Sequence, residues 1–207
     1  MIEASPNELL IATTNKGKIV ELRSLLASSP LRLRSLEGFP EIEDVEETGT
    51  TFADNSALKA SAYASQTGLW TLADDSGLEV DALGGAPGVF SARYGGEGLN
   101  DAQRVELLLE KLSGCAEQER SARFICVIAI ADPQGQIVNL STGRCEGQIA
   151  LAPRGTGGFG YDPVFIPSGF AQTFGELPPE IKKSISHRAL ALDGARSFLM
   201  SRFESMA

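Results

Sequence analysis

The chain has 207 residues, of which 43% are apolar and 22% charged, an ordinary globular composition with length enough for a sizeable core. That balance excludes a disordered tail, a collagen-like repeat and a small disulfide-stapled scaffold. A formal charge of -9 argues against a general grip on DNA or RNA, because affinity for a polyanion rests largely on neutralising phosphates.

In chain order, Leu9 to Thr13 reads as a buried strand. Lys16 to Leu26 reads as a helix with Ile19, Leu22 and Leu26 on one face. A second helix is expected from about Thr51, where Asp54 completes a capping interaction, to about Gln66. Gly68 ends it, and a strand at Leu69 to Ala73 follows. Gly77 to Gly98 is rich in glycine and reads as a long structured loop, and Ala102 to Leu112 as a third helix. Two strands are expected at Arg123 to Ala131 and Gln136 to Ala150, joined by a tight turn at Asp132-Pro133-Gln134-Gly135. Pro153 to Gly160 is a second glycine loop, Val164 to Ile166 a short strand, and Glu176 to Lys183 the start of a helix. The last helix, from about Ser186 to Phe203, aligns Ala189, Leu192, Ala195, Leu199 and Phe203. Early strand–helix alternation and a later hairpin predict one α/β domain, residues 1–207, with a mixed sheet.

The longest apolar run, Phe124 to Ala131, is far short of the ~20 residues that span a bilayer, so no membrane partner is expected. Met1 to Leu10 holds two glutamates and no basic residue, unlike the start of a secretory signal. A cytoplasmic protein is the expectation. Cys115, Cys126 and Cys145 are odd in number and widely spaced, and read as buried thiols rather than zinc ligands or disulfides. The one histidine is His187 and no G-x-S-x-G turn exists, so carboxylates are the expected agents of any catalysis.

Acids are distributed unevenly. Seven lie between Arg34 and Lys59, including Glu46 and Glu47, and from Lys59 to Arg93 the only charges are Asp74, Asp75, Glu79 and Asp81. Asp74-Asp75 follows an apolar strand, and ligands collect at the C-terminal ends of such strands. Two adjacent carboxylates repel, a hard divalent cation relieves the repulsion, and magnesium takes few carboxylates plus water and phosphate oxygens. Thr13-Thr14-Asn15-Lys16-Gly17-Lys18 joins a strand to a helix and reads equally as an anion site at a helix start or as a plain cap with exposed lysines. Gly155 to Gly160 formally contains G-x-G-x-x-G, but Pro163 follows closely and no helix opens. Phe159 or Tyr161 there either anchors the loop on the core or stacks on a base. Lys182-Lys183-Ser184-Ile185-Ser186-His187-Arg188 enters the last helix and suits an anion, a purine carbonyl or mere solvation. Taken together, these elements match what a magnesium-dependent enzyme acting on a nucleoside triphosphate requires.

The sequence resembles the inosine triphosphate pyrophosphatase family over most of its length. The likeness lies in Ala12 to Lys18 with Glu21; Glu46-Glu47-Thr48-Gly49 with Phe52, Asn55 and Lys59; and Ala73-Asp74-Asp75-Ser76-Gly77-Leu78. It continues in Gly84 to Gly88, Ser91 to Tyr94, Gly158-Phe159-Gly160-Tyr161-Asp162-Pro163 and Ser186-His187-Arg188. The resemblance implies an elongated mixed sheet flanked by helices, two lobes with the active-site cleft between them, and a homodimer. It implies hydrolysis of inosine- and xanthosine-type triphosphates to the monophosphate and pyrophosphate, with Mg2+ as cofactor. On this likeness Thr13, Thr14, Asn15, Lys16, Gly17 and Lys18 hold the triphosphate, with Lys59 as a further phosphate contact. Glu46, Asp74 and Asp75 position the metal, Asp75 is the base that takes a proton from water, and Ser76 touches substrate. Phe159 stacks on the purine, beside Gly160 and Tyr161, while Asp162, Lys182, His187 and Arg188 complete the pocket. Lys182, rather than Lys183, has the spacing to His187 that the pocket lysine needs.

Overall fold

The computed structural model describes residues 7–204. The strands are β1 (Glu8–Ile11), β2 (Arg32–Ser35), β3 (Trp70–Val80), β4 (Ser121–Ala131), β5 (Ile137–Ile149) and β6 (Phe165–Pro167). The helices are α1 (Lys16–Leu25), α2 (Phe52–Thr67), α3 (Asp101–Lys111), α4 (Pro179–Ile185) and α5 (His187–Glu204). The strands form one sheet in the order β2-β1-β3-β4-β5-β6. It is mixed: β1 runs parallel to β2 and β3, with Leu9 opposite Leu33 and Trp70, and β5 runs antiparallel to β6. The expected α/β class with a mixed, helix-flanked sheet is therefore observed.

The described residues form two compact units, residues 7–75, 126–143 and 188–204 in one, and 76–125 and 144–187 in the other. In the first, the run Leu9-Leu10-Ile11-Ala12 is wholly buried because helices cover both sheet faces. Leu9, Ile11, Leu72, Ile128 and Ile130 pack with Leu22 of α1 and with Ala191, Leu192, Ala195 and Leu199 of α5. The alternate residues Leu10, Ala12, Ala73, Ala129 and Ala131 pack with Ala60, Tyr63 and Ala64 of α2. This is the period of two that a strand imposes, and the small alanines on the second face admit α2 closely. The Thr51 hydroxyl caps α2, accepting from the Asp54 N–H and donating to its carboxylate, and Gly68 ends the helix at φ 68°.

The second unit is built around aromatic rings. Phe124, Phe165 and Phe174 lie within 4.6 to 6.4 Å of one another, with Leu78, Val105, Leu108 and Tyr161 around them. Arg120 is buried there and donates to the carbonyls of Cys115, Ala150 and Leu112, an internal staple for the unit.

The structure differs from the sequence-based expectations in four places. β3 runs on through Asp74-Asp75-Ser76-Gly77 to Val80, so the two aspartates lie within a strand rather than beyond its end. The glycine-rich segment therefore begins as strand and continues in short 3-10 turns at Asp81–Leu83 and Gly88–Arg93. β2, whose Arg-Leu-Arg-Ser sequence carries little strand signal, was not expected, and α4 begins at Pro179 instead of Glu176, where proline at the first helical turn costs no hydrogen bond.

Candidate active site

In the first unit the chain leaves β1 and turns into α1. The Asn15 side chain accepts from the Lys18 N–H at 3.1 Å, and the Thr13 hydroxyl accepts from the Asn15 N–H at 3.2 Å. The loop is thereby fixed by its own side chains. Thr14, Asn15 and Lys16 are exposed, and Thr13, Gly17 and Lys18 half-buried. The segment is a capped helix start that carries two lysines, Lys16 exposed and Lys18 half-buried.

Asp74 and Asp75 are both buried, and their surroundings differ. The Asp74 carboxylate, wholly inaccessible, lies 3.1 Å from the Lys18 ammonium and 3.2 Å from the Arg188 guanidinium. Arg188 also pairs with Glu21 of α1. Burial alone pushes Asp74 up, but Lys18, Arg188 and Lys59 outweigh it and hold the carboxyl well below the usual carboxylate range. Cys126 beside it is pushed up to about 12 by burial and by Asp74, an inert buried thiol. Cys145 is likewise buried and Cys115 half-buried.

Asp75 accepts from the Asn55 side-chain amide at 3.2 Å and lies 3.7 Å from the Lys59 ammonium, which reaches Glu47 at 2.5 Å. Asn55 is itself oriented by accepting from the Gly49 N–H at 2.8 Å. Burial pushes the Asp75 carboxyl above its ordinary 3.8; Lys59 and Lys18 pull it down, Glu47 pushes it up, and the net shift is upward. Burial lowers Lys59, yet Asp75, Asp74 and Glu47 together raise it above its ordinary 10.5. The ammonium therefore stays charged between two carboxylates.

That arrangement tests the fit of a divalent cation. Glu47 and Asp75 are hard oxygen donors that already share one cationic group, Lys59. Among the described residues no cluster of three or more acidic, histidine or cysteine side chains is arranged to hold a metal. Two carboxylates, with water and phosphate oxygens for the rest, are what magnesium accepts, so the residues fit it. The sequence-based ligand Glu46 is exposed. Its neighbour Glu47 is the residue that reaches Lys59 and so joins Asp75.

In the second unit the loop Gly158 to Asp162 is held by carboxylates. Asp162, buried, accepts from the Phe159 N–H at 2.8 Å and pairs with the Lys182 ammonium. Gly158, at φ 72°, would drive any Cβ into that carboxylate, so glycine is required there. Asp101, at the start of α3, accepts from the Gly160 N–H at 2.9 Å. Phe159 is half-buried, with the Lys182 ammonium 4.9 Å from its ring centroid. Tyr161 is buried and its hydroxyl donates to the Ser91 carbonyl, so it anchors the loop and leaves Phe159 as the ring able to stack. Lys182 is buried and Lys183 exposed, which agrees with the choice by spacing. His187 stacks on Phe124, centroids 4.6 Å apart. Ser76 is a half-buried residue of β3.

The sequence-predicted residues thus fall into two groups, Thr13 to Lys18 with Asp74, Asp75 and Arg188 in the first unit, and Ser76, Phe159 to Asp162, Lys182 and His187 in the second. Asp101 was missed, because an acid at a helix start reads as a cap and its bond to Gly160 spans 59 residues.

The chain belongs to the Ham1 family, which matches it over residues 9–198. It is 52% identical to a dITP/XTP pyrophosphatase of Desulforamulus reducens over 93% of this chain and 95% of that protein. It is 51% identical to one of Geobacillus kaustophilus over 89% and 90% respectively. A solved HAM1 protein of Coxiella burnetii superposes with a TM-score of 0.84 at 42% identity, covering 94% of this chain and 98% of that one.

Proposed function

We propose that the protein is a magnesium-dependent nucleoside triphosphate pyrophosphatase that hydrolyses the non-standard purine nucleotides ITP, dITP, XTP and dXTP to monophosphate and pyrophosphate, keeping them out of DNA and RNA. It acts in this reading as a cytoplasmic homodimer. The names of the relatives and their coverage of nearly the whole chain support the activity. The observation that carries the mechanism is the buried, upward-shifted Asp75 carboxylate held by Asn55 and Lys59 beside Glu47.

Lys16, Lys18 and the N–H groups at the start of α1 receive the triphosphate. Magnesium, held by Glu47 and Asp75, would offset charge on the phosphate oxygens. Asp75 takes a proton from the attacking water as a positioned general base. Asn55 orients that carboxylate, and Lys59 keeps a positive charge beside it for the phosphate. In the second unit Phe159 stacks on the purine, and Lys182 and His187 supply donors to a 6-oxo group. Adenine would set its 6-amino donor against those donors and leave them unpaired.

Pyrophosphate release from ITP, with and without magnesium and beside GTP, tests this reading. Fast metal-dependent release from ITP is expected, with GTP turned over far more slowly. Release of inorganic phosphate alone, or equal rates on ITP and GTP, would refute it.

A further inference from the structure

We propose that Asp74 is a positioning residue, one that fixes the Lys18 ammonium at the phosphate-binding turn and ties it through Arg188 to α5, and that it is not a ligand of the metal. This rests on the reading of the first unit as the triphosphate and metal site.

Successive residues of a strand point to opposite faces. On β3, Leu72 packs on the α1–α5 side and Ala73 on the α2 side. The same alternation continues into the acids. Asp74 meets Lys18 of α1 and Arg188 of α5, whereas Asp75 meets Asn55 and Lys59 of α2. Two neighbouring carboxylates on opposite faces do not chelate one small ion, and Glu47 joins the Asp75 face through Lys59. The adjacency that suggests a paired metal site in the sequence is thus undone by the strand.

Charge leads to the same conclusion. One oxygen of Asp74 takes the Lys18 ammonium at 3.1 Å and the Arg188 Nε and Nη2 at 3.3 and 3.2 Å. Arg188 sends Nη1 to Glu21. Asp74, Glu21, Lys18 and Arg188 sum to zero, so no net negative charge is left to draw a divalent cation. What the cluster does is hold a long, otherwise mobile lysine in one position before substrate arrives, so that its ordering is not charged against binding.

The test is Asp74→Asn, which keeps an acceptor and removes the charge. The proposal expects the KM for ITP to rise about tenfold, the order of a lost lysine ordering, with the magnesium half-saturation within about twofold of wild type. In a Lys18→Met background the same change should move KM by less than about twofold, since Asp74 acts through Lys18. A tenfold rise in magnesium half-saturation for Asp74→Asn, or full additivity with Lys18→Met, would overturn the proposal. Should Asp74→Asn not fold, Asp74→Glu decides by the same readouts: a raised KM for ITP with an unchanged magnesium half-saturation supports positioning, and a raised half-saturation overturns it. A wild-type enzyme indifferent to metal would instead sink the metal reading of Glu47 and Asp75, and the coupling between Asp74 and Lys18 would still judge this proposal.

Discussion

Replacing Asp162 by asparagine removes a charge where the second unit can least replace it. Asp162 is 2% exposed, and its carboxylate takes both the Phe159 N–H at 2.8 Å and the Lys182 ammonium, whose side chain is 11% exposed. Breaking a buried ion pair by removing one partner costs ~3–5 kcal/mol, because the other charge stays buried without compensation. The amide oxygen still accepts from Phe159, which preserves ~0.5–1.5 kcal/mol. A net loss of about 2–4 kcal/mol is therefore expected, read as a shift of the urea unfolding midpoint by far-ultraviolet circular dichroism. Asp162→Asn combined with Lys182→Met leaves neither charge stranded and should recover most of the loss. A single variant within ~0.5 kcal/mol of wild type, the range of ordinary surface changes, would refute the argument, as would a double variant no better than the single one.

Glu47→Gln should raise the magnesium half-saturation for pyrophosphate release by at least the ~10–100-fold typical even of outer-shell partners, while exposed Glu46→Gln stays within about twofold; the reverse order would restore Glu46 as the ligand. Asp74 is held below its ordinary 3.8 in the fold, so the unfolded chain binds the proton more readily. The stability from its ion pairs is present above about pH 4 and is lost as pH falls through the lower folded value. Thermal melts between about pH 5 and 2 should accordingly fall less steeply for Asp74→Asn than for wild type, and parallel curves would contradict the assignment. Gly158→Ala forces a left-handed φ of 72° on a residue with a Cβ aimed at Asp162. It should cost at least ~1–2 kcal/mol and raise the KM for ITP, and an unchanged KM would detach this loop from base binding.

Local signals made much of the fold legible before the structure. The apolar run at Leu9, the Thr51 cap with Asp54, and Gly68 as a left-handed stop each act through neighbours in the chain. Asp74-Asp75-Ser76-Gly77 has a turn-like composition, so the sequence alone predicts a β3 that ends at Ala73. What makes it a strand is remote: Asp74 is neutralised by Arg188, 114 residues away, and Asp75 by Lys59 and Asn55 of α2. The site residues were legible as a set of motifs and less so as partners. Glu46 and Glu47 are adjacent in the chain, and what distinguishes them is tertiary: Glu46 is exposed, and Glu47 is half-buried and takes the bond from Lys59. Lys182 is preferred to Lys183 in the sequence only through the family likeness, by its spacing to His187, and it is the buried one of the two.

The most direct test of the account is single-turnover pyrophosphate release from ITP by Asp75→Asn at saturating magnesium, with folding verified by circular dichroism. Loss of a positioned general base predicts a rate ~10²–10⁴-fold below wild type, with ITP still bound through Lys16 and Lys18. A variant that turns over at close to the wild-type rate would show that another group deprotonates the water, and the assignment of Asp75 would fall.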